Sequence, residues 1–117
     1  MSVLETLNTI IESVGVPVET GVFSGVPPDE YCVLTPLADS FALFGDNKPL
    51  IEVSEVRISL FSSGNYIKRK NQLTAALLAA DVTITDRRYV GHEPDTGYHN
   101  FAIDVAKEIL SQEGSEI

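Results

Sequence analysis

From Glu55 to Leu60 the residues alternate in chemistry: Val56, Ile58 and Leu60 would share one face of an extended chain, while Glu55, Arg57 and Ser59 take the other. The pattern returns near the end of the sequence, where Phe101, Ile103 and Val105 are interleaved with Ala102 and Asp104. A period of two marks strands with one face buried and one in water. Two such strands require a sheet whose apolar face is covered by something else. Two segments of helical period can cover it. The first runs from Ser2 to Val14, with Leu4, Leu7, Ile10, Ile11 and Val14 as an apolar stripe. Ser2 and Glu5 have capping-box spacing, Gly15 suits the left-handed residue that closes a helix, and Pro17 forbids continuation. The second runs from Tyr66 to Ala80, with Tyr66, Leu73, Ala76, Leu77 and Ala80 on one face. Lys68, Arg69 and Gln72 are expected to point away from that face, and Asp81 to close the helix.

The remaining segments fill in the sheet. Residues 16–28 are broken by Gly21, Gly25, Pro27 and Pro28, yet Val16, Val18, Val22 and Phe23 leave room for a short edge strand. Tyr31 to Leu37 and Ser40 to Phe44 are read as two strands, with a turn at Asp39-Ser40 and a stronger break at Gly45-Asp46-Asn47. Leu50 to Phe61 is a longer strand. Ile51 and Val53 are out of phase with Val56, which predicts a bulge near Ser54 or Glu55. Val82 to Val90 and Tyr98 to Ala106 are two further strands joined by a hairpin loop from Gly91 to Gly97, and a frayed tail begins near Ser111. The expected fold is α+β, in the order α-β-β-β-α-β-β: an antiparallel sheet of about five strands with two helices packed on one face. One domain spans residues 1–117, and the open face and edges make it a candidate for assembly.

Charge narrows the partners. Seventeen acids against eight Lys and Arg leave a formal charge of −9 on 117 residues. A general nucleic-acid binder needs a basic surface that releases counterions, so tight nucleic-acid binding is not expected. The longest apolar run, Ala75 to Ala80, falls far short of the ~20 residues of a membrane span. Glu5 stands where a signal peptide carries basic residues, so the chain is expected in the cytoplasm rather than exported. The single cysteine, Cys32, excludes an internal disulfide framework and a cysteine-based zinc site.

Few residues invite chemistry. His92, Glu93, Asp95 and His99 gather metal-ligand types around one hairpin, the basis for a metal-dependent hydrolase as an alternative reading. Their spacing matches no ligand code, and the two histidines are expected on opposite strand faces. Cys32 lies in the apolar run Tyr31-Cys32-Val33-Leu34 and reads as a small buried hydrophobe rather than a nucleophile. No nucleophile elbow, phosphate loop or paired catalytic carboxylate is present. The expectation is therefore no enzyme, with catalytic, cofactor-binding and metal residues all none and no cofactor. Lys68-Arg69-Lys70 reads as the solvated side of the second helix, or as an ion-pairing strip against an acidic neighbouring subunit. Arg87-Arg88 places one charge on each sheet face, with Asp86 and Asp104 as candidate mates. Tyr89 and Tyr98 read as cross-strand aromatics.

Three stretches carry a resemblance: Leu34 to Leu50 (LTPLADSFALFGDNKPL), Val56 to Tyr66 (VRISLFSSGNY), and Ile84 to Val90 together with Asp95 to Val105. They resemble small proteins encoded in the head-to-tail region of long-tailed phages and prophages of Gram-positive bacteria, similar to tail terminator (tail completion) proteins. The resemblance implies a structural virion protein of the tail or neck, present in the host cytoplasm during assembly. Such a protein forms a ring of its own copies, a hexamer, that caps the tail tube and joins it to the head. The implied partners are the major tail tube protein and the head-tail connector protein. The segments Asp39 to Pro49 and Gly91 to Gly97 are the candidate contacts, and an acidic channel wall would let DNA slide through. A head-tail adaptor or packaging-associated protein is the alternative within phage biology. Outside it stand the metal-dependent hydrolase and a regulatory module that binds a ligand or peptide on the open sheet face.

Overall fold

A computed structural model describes residues 2–45 and 48–110, with side chains over 2–41 and 51–109. Its elements are α1 (Val3–Ser13), β1 (Val18–Thr20), β2 (Glu30–Gly45), β3 (Lys48–Ser62), α2 (Tyr66–Ala79), β4 (Thr83–His92) and β5 (His99–Leu110). The fold is α+β. The strands form one sheet in the order β1-β2-β3-β5-β4, antiparallel except for the parallel pair β1–β2.

Both helices begin and end where local chemistry places the ends. Ser2 Oγ accepts from the Glu5 amide at 3.2 Å and donates to the Glu5 carboxylate, satisfying an orphan amide of α1. Gly15 then takes φ +95°, and its amide reaches the Glu12 carbonyl at 2.9 Å. Asn65 caps α2. At the far end of α2 the same closing position is taken by Asp81 at φ 59°, with Asp81 N–H bonded to Leu78 O and Val82 N–H to Leu77 O.

The core lies between these helices and one sheet face. Leu7 and Ile11 of α1 and Leu73 and Leu77 of α2 pack on Cys32, Leu34, Ile58, Leu60, Ile103 and Val105, all fully buried. Each such aliphatic side chain contributes about 1.5–3 kcal/mol relative to exposure. The alternation of β3 and β5 therefore selects the covered face as expected, with Leu60 opposite Phe101, Ile58 opposite Ile103 and Val56 opposite Val105.

Two expectations are corrected. The segment from Tyr31 to Phe44 is one strand, without a turn at Asp39-Ser40; β2 runs against β3 along its length, with register shifts at Leu37, at Ala42 and between Leu43 and Phe44. Asp46 and Asn47, read as the stronger break, lie outside the described residues, as does the tail from Ser111. The irregularity assigned to Ser54 or Glu55 lies on the neighbouring strand: β3 pairs with β5 in continuous register from Ile51 to Ser62, whereas β2 shifts between Pro36 and Ala38. Ile51 and Val53 consequently fall on the face opposite Val56. The covering layer ends nearby, where Val3 and Leu4 of α1 meet Pro36, Val56 and Ile109, and beyond it neither face is obliged to be apolar.

That overhang sets the shape. At about 3.4 Å per residue a strand as long as β3 spans roughly 50 Å, and the molecule measures 54 × 25 × 23 Å. Its radius of gyration, 15.5 Å, exceeds the roughly 13 Å of a compact chain of this length. Among the described residues both borders of the sheet are open. β4 borders only β5, and β1 covers β2 over just three residues, Cys32 to Leu34.

Candidate functional site

Cys32 sits in the core at 0% exposure, and burial pushes its thiol up to about 12, with Arg69 pulling it down and Glu30 up by smaller amounts. A thiol held in its protonated form in an apolar layer is a packing group. The reading of Cys32 as a buried hydrophobe is borne out.

The histidines are brought together. His92 and His99 are directly opposed across the β4–β5 hairpin, with ring centroids 4.7 Å apart. Opposed residues of an antiparallel pair share a face, so the expectation of opposite faces is corrected. The loop between them is shorter than the Gly91 to Gly97 segment read as a loop, because His92 still belongs to β4. Glu93 N–H bonds Tyr98 O and Gly97 N–H bonds Glu93 O, both at 2.8 Å. Tyr89 Oη lies 3.0 Å from His99 Nδ1, and the Tyr66 ring stacks at 5.3 Å from His99 and 6.0 Å from Phe101. Among the described residues no third His, Cys, Asp or Glu joins the pair in a metal-holding group.

On the helix-covered side Arg69 is the residue that the sequence reading misplaced. It does not face solvent. Its Nε and Nη2 donate to Glu30 Oε1 at 3.2 and 2.9 Å, and Nη1 donates to the Val14 carbonyl at 3.0 Å. Ser62, the one fully buried polar side chain among the described residues, donates to the other Glu30 oxygen and accepts from Gly64 N–H. The spacing could have revealed this: positions 66, 69, 73 and 77 form one helical stripe, and charge alone argued for solvent. Lys68 does remain exposed beside a groove of about 590 Å³. Lys70 lays its Nζ 5.2 Å from the Phe101 ring centre.

The opposite face carries a charge network and an aromatic cluster. Arg57 grips Asp104 through two bonds, Nε–Oδ1 at 2.8 Å and Nη2–Oδ2 at 3.1 Å, which holds the guanidinium more firmly protonated. Arg88 pairs with Asp86 and reaches Asp104 at 3.9 Å, while Arg87 points to the helix side and donates to Thr74 Oγ1. The expected split of Arg87 and Arg88 between faces is thus observed, and Asp86 and Asp104 are mates of Arg88; the helix-side Arg87, for which a carboxylate was expected, meets Thr74 and no carboxylate among the described residues. Arg57 was the unforeseen partner. Further along, Tyr31 meets Phe61 at 4.9 Å, Phe23 at 4.8 Å and Tyr98 at 5.5 Å, and Tyr98 donates to the Pro28 carbonyl at 2.6 Å. These contacts fasten the loop of residues 21–29 against the otherwise open face. Burial first, then Tyr98 and Glu93, raises the Tyr31 hydroxyl above its usual range. Asn100 Oδ1, on this face, is buried without a hydrogen-bond partner.

Among the described residues the charged and nucleophilic side chains named above are engaged in packing, hydrogen bonds or ion pairs, apart from the exposed Lys68. The segment from Asp39 to Pro49, expected as a contact loop, is instead the distal part of the β2–β3 hairpin, with Asp46 and Asn47 outside the described residues. No family model and no curated protein matches the chain. A solved structure aligns over 92% of this chain and 86% of its own length, with a TM-score of 0.45 and 14% identity, a likeness too weak to carry an argument.

Proposed function

We propose that the chain is a structural phage or prophage protein, the tail terminator, which assembles as a ring of its own copies on the end of the tail tube and meets the head connector. The observation that carries the reading is the sheet itself. Among the described residues both borders are open, and its longest hairpin projects beyond the helices. A protein that lives as a monomer ordinarily covers or shortens such edges. The resemblance of Leu34 to Leu50, Val56 to Tyr66, and Ile84 to Val90 with Asp95 to Val105 to tail-completion proteins supplies the identity of the assembly. The partners under this reading are further copies of the chain, the tail tube protein and the connector, and the site of action is the virion neck.

Electron microscopy of the purified chain mixed with isolated tail tubes tests it. Rings seated on one tube end are the expected result. A chain that leaves tube ends bare and binds only connector-side complexes would instead be a head-tail adaptor.

A further inference from the structure

His92 and His99 take no part in the assembly proposed above. Their sequence spacing matches no ligand code, yet the turn of residues 93–98 sets them directly opposite each other at the mouth of the β4–β5 hairpin. His99 shares the helix-covered face with Phe101. The ring of Tyr66, the first residue of α2, lies 5.3 Å from His99 and 6.0 Å from Phe101. His92 is exposed and His99 half-buried, so solvent reaches the pair.

The separation of the two rings is that of ligands to a common ion. A metal–nitrogen bond of about 2.0–2.1 Å, with the ring centre about 1.15 Å behind the nitrogen, puts an ion roughly 3.2 Å from each ring centre. Two imidazoles at the ~90° of a square-planar site or the ~109° of a tetrahedral one then have centres about 4.5–5.2 Å apart. His92 and His99 stand at 4.7 Å, with their planes inclined by 42°. A second feature points the same way. Tyr89 Oη lies 3.0 Å from His99 Nδ1. When the phenol accepts from Nδ1–H, the free lone pair of the imidazole is on Nε2. Such a bond from the other ring nitrogen to an oxygen is what orients a ligating histidine. Among the described residues neither His99 Nε2 nor either ring nitrogen of His92 has a hydrogen-bond partner.

We propose that His92 and His99 chelate one divalent transition-metal ion, copper(II), nickel(II) or zinc(II), with water in the remaining positions and Tyr89 as the positioning residue of His99. Imidazole suits these ions, whereas Mg²⁺ and Ca²⁺ require oxygen donors that the pair lacks. No third His, Cys, Asp or Glu joins the two among the described residues, so the ion is exchangeable and the site is a clip rather than a closed structural centre. It ties the last residue of β4 to the first of β5. Lys70, over the Phe101 ring two positions along β5, is a like charge, and salt screens it at this solvent-reached end of the sheet.

Calorimetric titration of the untagged full chain with Cu²⁺, Ni²⁺, Zn²⁺ and Mg²⁺ tests the proposal. One Cu²⁺ per chain is expected, with a Kd below about 0.1 mM. Ni²⁺ and Zn²⁺ should compete for the same place more weakly, and Mg²⁺ should not bind. His92→Ala, at an exposed position, and His99→Gln should each weaken Cu²⁺ binding at least about tenfold, and the double variant little further, because one lost ligand already ends chelation. Tyr89→Phe keeps the ring, drops the hydroxyl and should cost about tenfold with the stoichiometry still one. Circular dichroism checks that each variant folds. Electron paramagnetic resonance of the Cu²⁺-loaded chain should show coupling to two imidazole nitrogens, and to one in His92→Ala. Wild-type chain that binds Cu²⁺ more weakly than about 0.1 mM overturns the proposal. So does an affinity that survives both histidine substitutions, or one ion shared between two chains. An unchanged affinity in Tyr89→Phe overturns the positioning role of Tyr89.

Discussion

Arg69 is the side chain whose loss should cost most among the cations, and the structure supplies the size of the effect. It links three elements: α2, which carries it, the carboxylate of Glu30 at the start of β2, and the last free carbonyls of α1 through Val14. Arg69→Ala removes two bonds to a carboxylate, one to the Val14 carbonyl and one to Gln72, and leaves Glu30 held by Ser62 alone on this side. Hydrogen bonds to charged groups contribute about 1.5–3 kcal/mol each when buried. Here the two side chains keep 24% and 28% exposure, so water and salt screen part of that, and the net cost should be about 2–3 kcal/mol. With an unfolding entropy near 2.1 cal/mol/K per residue, that corresponds to a fall in Tm of roughly 8–12 °C. Lys68→Ala, one residue away and exposed, should change stability by less than about 0.5 kcal/mol. Arg69→Lys should recover little, because a single ammonium cannot reach Glu30 and Val14 together. Urea denaturation of the three variants, with a double-mutant cycle against Glu30→Gln, measures each quantity. An Arg69→Ala variant as stable as Lys68→Ala would refute the linkage of three elements, as would a cycle with no coupling.

Two further perturbations have signs fixed by the geometry. The Cys32 thiol, displaced from 9.0 to about 12 by burial, keeps its proton in the folded chain after the unfolded chain has released it. Its share of stability is therefore intact below about pH 9 and declines by about 1.4 kcal/mol per pH unit between there and about 12. Cys32→Ala should flatten that part of the pH profile in urea melts, and an unchanged slope would contradict the assignment. At the two helix ends, equivalent positions should respond in opposite senses. Gly15→Ala forces a Cβ into φ +95° and should cost about 1–2 kcal/mol, whereas Asp81→Gly relieves φ 59° and should gain about 0.5–1 kcal/mol. Thermal melts that move the same way for both would remove the backbone explanation.

What the sequence displays and what it conceals follow a physical division. Helix limits are local, and Ser2, Gly15, Asn65 and Asp81 announce them within a few residues. The covered face of β3 and β5 is legible because an apolar layer forces strict alternation on Val56 to Leu60 and Phe101 to Val105. Register is not local. Whether His92 meets His99 depends on the loop of residues 93–98 and on the shift between Tyr89 and Gly91, neither of which the histidines encode. The bulge was displaced to the wrong strand for a related reason: Ile51 and Val53 seemed to demand an apolar face, yet the helices end before reaching them. Parallel pairing of β1 with β2 rests on the amide of Cys32 finding the carbonyl of Pro17, a long-range contact without a residue signature. Arg69 was legible by position and obscured by its charge.

The same features that open the sheet to a neighbour also guard it. Pro36 and the shift at Leu37 interrupt β2 just past the three residues that β1 covers, and β4 carries two register shifts with Arg87 and Arg88 between them. Proline, bulges and charges at an edge all discourage indiscriminate strand pairing. A net charge of −9 adds repulsion between copies at distances where only the total charge is felt. At physiological ionic strength that repulsion fades beyond about 8 Å, while opposite charges a few ångströms apart are screened far less. Raising salt from low ionic strength should therefore favour self-association by screening the whole-molecule repulsion, read as a rise in light-scattering mass. Edges interrupted in this way, on a chain of net charge −9, disfavour random strand-to-strand aggregation while leaving both sheet borders open among the described residues.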